Sequence, residues 1–314
     1  EADRQARDCL CGWMRELGLT VRIDAIGNII GIRPGREDGP PVMTGSHIDS
    51  VATGGLYDGA LGVLAGLEVV AVLTERGIHT RRPLAVAAFS NEEGARFAPD
   101  MMGSLVYVGG MALEEALALE GIDGATVGEA LEGIGYRGEA PCGAPVVAGY
   151  VELHIEQGPI LEQENITIGA VSGVQGISWR EYRLGGGANH AGTTPMALRN
   201  DAGFVAMAAA VELRRLCGEI PGQLGTVGRL RLGPDLINVI PAEARFTVDL
   251  RNTDENRLRH AEERLDAFIR DCAGAEGVSE RLGTTLYHKC ENMQYVVAFK
   301  ARGACNAVFA LTDQ

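Results

Sequence analysis

The chain has 314 residues, 46% of them hydrophobic, and a formal net charge of −14 at pH 7. That length suits about two domains of roughly 150 residues each, and the apolar share is enough for ordinary globular cores. The acidic balance argues against a nucleic-acid partner, because phosphate binding runs on clustered Lys and Arg, and the densest basic clusters here are only 81–83 (RRP) and 214–215 (RR).

In chain order, residues 2–17 read as an amphipathic helix, with Ala6, Cys9, Leu10, Trp13, Met14 and Leu17 at helical spacing and Gly18 as its stop. The pattern is already running at Glu1 with no initiator Met, so a preceding segment is expected. Residues 21–23 and 28–32 are β-rich runs around Gly27-Asn28, a hairpin signal. Pro40-Pro41 leads into MTGSHIDSVATGGLYDG at 43–59, a strand followed by a Gly-rich loop, and 60–75 is a long apolar helix ending near Gly77. Residues 83–90 (PLAVAAFS) are almost wholly apolar, as in a strand buried on both faces. Strand–helix–strand alternation predicts an α/β fold with a mainly parallel sheet flanked by helices. From about residue 170 the pattern changes. Strands are expected at 171–184, 225–232 and 242–251 and helices at 202–217 and 253–271, which together suggest a compact α+β insert. The domain reading is 1–175 for the first part of a catalytic domain, 176–285 for the insert and 286–314 for an atypical C-terminal remnant.

Five motifs carry chemistry. In the first, His47, Asp49 and Asp58 lie within a short span, and such residues suit a hydrolytic metal site. Residues two apart on a strand share a face, so Asp49 is expected to accept the second ring N–H of His47 and fix its tautomer. The second, FSNEEGARF at 89–97, follows the buried strand, and sites form at the carboxyl ends of strands in open α/β sheets. Glu92 and Glu93 are adjacent like charges, costly unless a cation or proton relieves them. That suggests a division of labour, one binding metal and the other acting as general base. Taken alone, such a pair reads as a solvated acidic loop. The third, YVELHIEQGPILE at 150–162, places His154 at another strand end among apolar residues, where a lone His is usually a satisfied core residue; three strand-end motifs in series favour ligation. The fourth, GGGANHAGTTPMALRNDA at 185–202, exposes His190 before a helix for which Thr194 is the expected cap and Pro195 the first residue. In the fifth, PDLINVIPAEARFTVDLR at 234–251, Asn238 and Arg251 suit a substrate carboxylate, although alone they also read as a turn residue and a surface charge. Neither H-E-x-x-H, G-x-S-x-G nor a Walker A run occurs.

The seven cysteines (9, 11, 142, 217, 272, 290 and 305) form an odd set without metal-knuckle spacing, so a reducing, cytoplasmic compartment is expected. The most apolar run, 60–73, is short of the roughly 20 residues a membrane span needs, so no membrane partner is expected.

In this order, GSHIDSVATGGLYDG, NEEGARF, ELHIEQG and NHAGTTPM resemble the hydantoinase/carbamoylase branch of the aminoacylase-type dinuclear metallohydrolases. That group includes N-carbamoyl-L-amino-acid hydrolases, β-ureidopropionases and allantoate amidohydrolases. The resemblance implies a zinc-exopeptidase-like sheet with an inserted ferredoxin-like lid and dimerisation domain. It implies two divalent ions (Zn, Mn, Co or Ni), since mixed His/carboxylate sites accept several metals. His47 and His154 would bind one, Asp58 would bridge both, Glu93 would bind the second, and Glu92 would be the base, with Asp49 beside it in the catalytic set. Gln157, His190, Asn238 and Arg251 would bind substrate, His190 at the reacting carbonyl oxygen and Arg251 at the carboxylate. A homodimer would form through the insert, and there His190 and its neighbours can approach the site of either subunit. The implied reaction is hydrolysis of an N-carbamoyl (ureido) group of a small substrate, with allantoate as the alternative.

The resemblance is expected to lapse near residue 283. The family's last ligand, a His in a PSGAGHDA-like run, has no counterpart here, and the late His260 and His288 lack that Gly-rich context. Truncation or a shifted reading frame is the expectation, with a half-built second metal position, poor solubility and weak activity. The competing reading from another class is a catalytically impaired dimerising or binding protein on the same fold.

Overall fold

In a computed structural model, the structure describes residues 1–289. The expected remnant at 286–314 lies outside the described residues from 290 onward. The chain divides into two compact units, which among the described residues are 1–171 and 172–289.

The first unit runs α1 (Ala2–Glu16), β1 (Thr20–Ile23), β2 (Ile29–Arg33), β3 (Val42–His47), α2 (Ala60–Glu75), β4 (Leu84–Phe89), α3 (Met102–Tyr107), α4 (Leu113–Ala118), α5 (Val127–Ile134), β5 (Gly149–Val151) and α6 (Ile160–Gln163). Helix α1 turns Leu10, Cys11 and Met14 inward, the spacing that 3.6 residues per turn dictates. The sheet order is β1-β2-β4-β3-β5. Strand β3 is parallel to both β4 and β5, while the β1–β2 hairpin joins β4 antiparallel. The expected parallel arrangement therefore holds for the three strands whose ends carry the motifs. The hairpin makes the whole sheet mixed, because a short turn can only return the chain antiparallel.

Strand β4 explains its own sequence. Val86 and Ala88 pack into one core with α1 and α2, and Ala85, Ala87 and Phe89 pack into a second with Met43, Tyr107 and Tyr150. Both faces are dry, so no polar alternation survives. Helix α2 lies close to β3 where Gly62 faces the strand; a Cβ there would stand 2.5 Å from the Leu153 carbonyl oxygen and 2.9 Å from Ser46.

The second unit runs β6 (Gly176–Gly185), α7 (Ala202–Glu219), β7 (Leu224–Gly233), β8 (Glu243–Asn252), α8 (Glu255–Glu276) and β9 (Ser279–Lys289), a βαββαβ order of ferredoxin-like type. Its sheet is β7-β8-β6-β9, antiparallel throughout. Alternate residues Ala244, Phe246, Val248 and Leu250 of β8 enter a core shared with Val205, Ala209, Leu213 and Leu216 of α7 and Leu258, Leu265 and Ile269 of α8. Tyr182 and Phe246 stack at its centre with centroids 5.0 Å apart.

The start of α7 corrects one expectation. Thr194 does not cap the helix; its hydroxyl donates to the His190 carbonyl at 2.8 Å. Pro195 precedes only a single 3₁₀ turn, Met196–Leu198. The cap is Asp201, whose carboxylate accepts the Phe204 amide at 3.0 Å. The loop's own hydrogen bonds occupy the threonine, so the helix starts at the next side chain able to accept. His260 is exposed on α8, and His288 lies within β9.

Candidate metal centre

The carboxyl ends of β3, β4 and β5 carry the first three motifs. His47 is the last residue of β3 and fully buried, Asp58 lies in the loop before α2, and His154 follows β5. One ligand atom from each of these three lies within 4.8 Å of the others. Asp58 Oδ1 stands 3.1 Å from His154 Nε2 and 3.9 Å from His47 Nε2, and Glu93 Oε1 is 3.5 Å from His47 Nε2. Asp58's other oxygen accepts the Gln157 side-chain amide. Gln157 holds a left-handed backbone (φ 56), a conformation that non-glycine residues keep mainly where surroundings enforce it.

The tautomers follow from the partners. His47 Nδ1 lies 2.9 Å from the Asp49 carbonyl oxygen and His154 Nδ1 2.8 Å from the Ile155 carbonyl oxygen. A carbonyl can only accept, so each Nδ1 is assigned the ring hydrogen and each Nε2 is left as a lone pair. Two nitrogen lone pairs thus converge on a carboxylate oxygen. His47 Nε2 and Asp58 Oδ1 are buried with no hydrogen bond. Such a convergence of acceptors repels unless a cation lies among them, so the residues fit a divalent ion. Gly59 makes room: with φ at 69°, its missing Cβ would stand 2.4 Å from the His47 ring.

Asp49 takes a different partner from the one expected. Its backbone carbonyl, not its carboxylate, orients His47, since the carboxylate is 3.6 Å away from Nδ1. The carboxylate accepts the amides of Glu92 at 3.2 Å and Glu93 at 3.0 Å. Strand β3 ends at His47, so strand alternation no longer governs Asp49.

Glu92 is 6% exposed, and its carboxylate accepts both the amide and the hydroxyl of Ser104 at 2.8 Å. Beneath the site, the Tyr150 hydroxyl lies 3.0 Å from both the Gly45 carbonyl and the Glu152 carboxylate, which share its single proton, and burial pushes its phenol well above the usual value, keeping it a donor. The sequence reading missed Gly59 and Ser104. Gly59 sat unremarked inside the first motif, and Ser104 follows the acid pair in an ordinary-looking MGS. Glu156, beside His154, instead accepts the Ile160 and Leu161 amides at the start of α6.

The fourth and fifth motifs lie in the second unit. His190 and Asn238 meet: His190 bridges Val239, and the Ala191 amide donates to the Asn238 carbonyl at 2.9 Å. His190 Nδ1 accepts the Gly192 amide at 3.0 Å, so in the neutral ring Nε2 carries the hydrogen. Arg199, also unanticipated, holds the loop through the Ala191 and Thr194 carbonyls at 2.7 and 3.1 Å. Arg251 is not brought to them. It pairs across the sheet with Leu224 and Ile177 at the far end of β8, and its guanidinium grips Asp249 at 3.0 to 3.2 Å. From Glu243 to Arg251 along β8 is about 26 Å at roughly 3.3 Å per residue.

An α/β sheet whose parallel strand ends carry a His/Asp/His cluster able to hold a metal ion has the layout of a metal-dependent hydrolase. The chain belongs to peptidase family M20/M25/M40, whose sequence profile matches residues 43–306. The match runs past residue 283, where the resemblance was expected to lapse. The chain is 42% identical over 286 residues to an N-carbamoyl-L-amino-acid amidohydrolase of Rhizobium meliloti, an alignment covering 90% of this chain and 67% of the relative. It is 39% identical over 269 residues to a ureidoglycolate hydrolase of Arabidopsis thaliana, covering 82% and 56%. Among solved structures, a hydantoinase/carbamoylase family amidase from Burkholderia multivorans superposes with a TM-score of 0.86 at 42% identity, covering 91% of this chain and 70% of that one. The chain thus spans between 56% and 70% of the length of these relatives.

Proposed function

We propose that this chain is the larger part of an amidohydrolase that cleaves the N-carbamoyl group of N-carbamoyl amino acids, yielding ammonia, carbon dioxide and the amino acid. The observation that carries the reading is the convergence of two imidazole lone pairs on a buried, unbonded Asp58 oxygen. The amidohydrolases at about 42% identity supply the substrate class.

In this reading His47, Asp58 and His154 would hold one divalent ion, and Glu93 with Asp58 would serve a second; zinc, manganese, cobalt and nickel all suit the ligand types. A bound ion supplies Lewis acidity that lowers the pKa of water and polarises a carbonyl. Glu92, fixed beside the cluster, takes the proton from the attacking water and passes it to the departing nitrogen. Gln157 keeps Asp58 oriented and contacts substrate. His190 offers its Nε2–H to the developing oxyanion, and Asn238 of one protomer and Arg251 of the other bind the substrate carboxylate, which must share the guanidinium with Asp249.

The second unit is also proposed as a lid and homodimer contact. Along α7, Phe204, Met207 and Val211 are 50%, 50% and 72% exposed at helical spacing, and β7, next in the chain, is an edge strand of the sheet among the described residues. An apolar stripe and an unpaired edge are both features that a partner covers. No helix among the described residues is long and apolar enough to cross a membrane. The described cysteines Cys9, Cys11, Cys142, Cys217 and Cys272 are free, which suits the cytoplasm.

The deciding experiment measures ammonia release from N-carbamoyl-L-amino acids, N-carbamoyl-β-alanine and allantoate with added Mn²⁺, Co²⁺, Zn²⁺ or Ni²⁺. Release from the N-carbamoyl amino acids, abolished by chelation and restored by metal, is the expected result. Release from allantoate alone moves the substrate to the alternative, and binding of substrate without release leaves the impaired binding protein.

A further inference from the structure

The proposed base is held by a hydrogen-bonded frame that no sequence motif announced. Segment 101–104 lies along segment 90–92: the Met101 amide donates to the Glu92 carbonyl at 2.9 Å, Met102 to Asn91 at 3.2 Å and Gly103 to Ser90 at 2.8 Å. The next amide, Ser104, continues the series but donates to the Glu92 side chain, at Oε1, 2.8 Å away. Its hydroxyl donates to Oε2, also at 2.8 Å. Both carboxylate oxygens are thus pinned by one residue that is itself 1% exposed. Asn28 locks the frame from behind. Its side chain accepts the Ser90 amide at 2.9 Å and donates to the Gly103 carbonyl at 3.0 Å. Gly103 is needed for that approach, since a Cβ there would stand 2.3 Å from Asn28 Oδ1.

We propose that Ser104 is a positioning residue for Glu92, fixing the plane of its carboxylate for proton transfer; this rests on Glu92 being the base in the reading above. Each carboxylate oxygen of Glu92 thus has one of its lone pairs committed to Ser104, which sets the direction in which the group faces. A carboxylate bound at both oxygens cannot rotate about its terminal torsion, which is otherwise broad. The alternative for Ser104 is a local helical role, because its hydroxyl also lies 3.1 Å from the Met101 carbonyl. The hydroxyl has one proton, and the charged acceptor is the stronger of the two.

The test compares Ser104→Ala with Ser104→Thr in the full chain, with metal content and thermal midpoint recorded for both. Misplacement of a general base costs part of its contribution, so kcat for ammonia release should fall about ten- to a hundred-fold in Ser104→Ala. KM should stay within about two-fold, and Ser104→Thr should recover most of the loss. Crystal structures form the second arm, with the Glu92 carboxylate turned in the alanine variant and in place in the threonine variant. An unchanged kcat, or an unmoved Glu92 in Ser104→Ala, overturns the proposal. If the alanine variant does not fold, Ser104→Cys, with its weaker donor and similar volume, takes its place under the same outcomes. If the unsubstituted chain releases no ammonia, the functional reading fails, and the crystallographic arm still decides whether Ser104 positions Glu92.

Discussion

The carboxylate of Asp49 receives two successive amides, those of Glu92 and Glu93, so it fixes the turn that carries the proposed base and the proposed second ligand. Asparagine has the same shape but only one accepting oxygen. In Asp49→Asn one amide faces an NH₂ group, and an amide left without its acceptor costs about 1–3 kcal/mol when buried, less at this partly exposed site. We expect ammonia release to drop at least about ten-fold while His47 stays in place, because His47 is oriented by the Asp49 backbone, which asparagine keeps. Activity within two-fold of the parent would refute that role. Gly59→Ala attacks the other side: the new methyl enters the space of the His47 ring, so metal affinity should fall by about ten-fold or more by calorimetric titration. The residue types of this site were legible because His, Asp and Glu at strand ends advertise metal chemistry. Asp49's true contact was not, since it depends on where β3 stops, and neither was Ser104's, since a serine near a helix start ordinarily serves only its own helix.

Long uniform elements were the easiest to read. Helix α2 and strand β4 declare themselves by continuous apolar runs, and the edges found for them follow the Gly and Pro that bound them. The start of α7 was harder, because turns and caps use the same residue types, and only the loop's internal bonding decides which side chain is left to cap. Thr194 is spent on the His190 carbonyl, and Asp201 takes the Phe204 amide. Asp201→Ala should therefore cost about 1 kcal/mol of stability, the usual loss of an N-cap. Thr194→Ala should cost no more than a few tenths in stability, but should loosen the loop that presents His190. Chemical denaturation of the two variants separates these outcomes, and equal losses would contradict the assignment of the cap.

At the scale of the whole molecule, the sequence showed that there were two patterns of secondary structure but not how far apart their polar residues would fall. His190 and Asn238 meet beside the start of β8, and Arg251 stands at its other end, about 26 Å away along the strand. A small N-carbamoyl amino acid is far shorter than that. Under the proposed homodimer, one site would take its Arg251 from one protomer and its His190 and Asn238 from the partner. Disrupting the apolar stripe of α7 tests the assembly: Val211→Asp places a charge at the most exposed member of the stripe and should halve the mass measured by light scattering, with loss of ammonia release. Complementation tests the shared site. His190→Ala and Arg251→Ala should each be nearly inactive alone. In a mixed dimer, the intact His190 of the Arg251→Ala protomer meets the intact Arg251 of the His190→Ala protomer, so one site of the two is whole. Random mixing makes half the dimers mixed, so co-refolded variants should recover about a quarter of the parent's activity. If both residues served a site within one chain, no mixture would contain a whole site, and activity would stay at the level of the single variants.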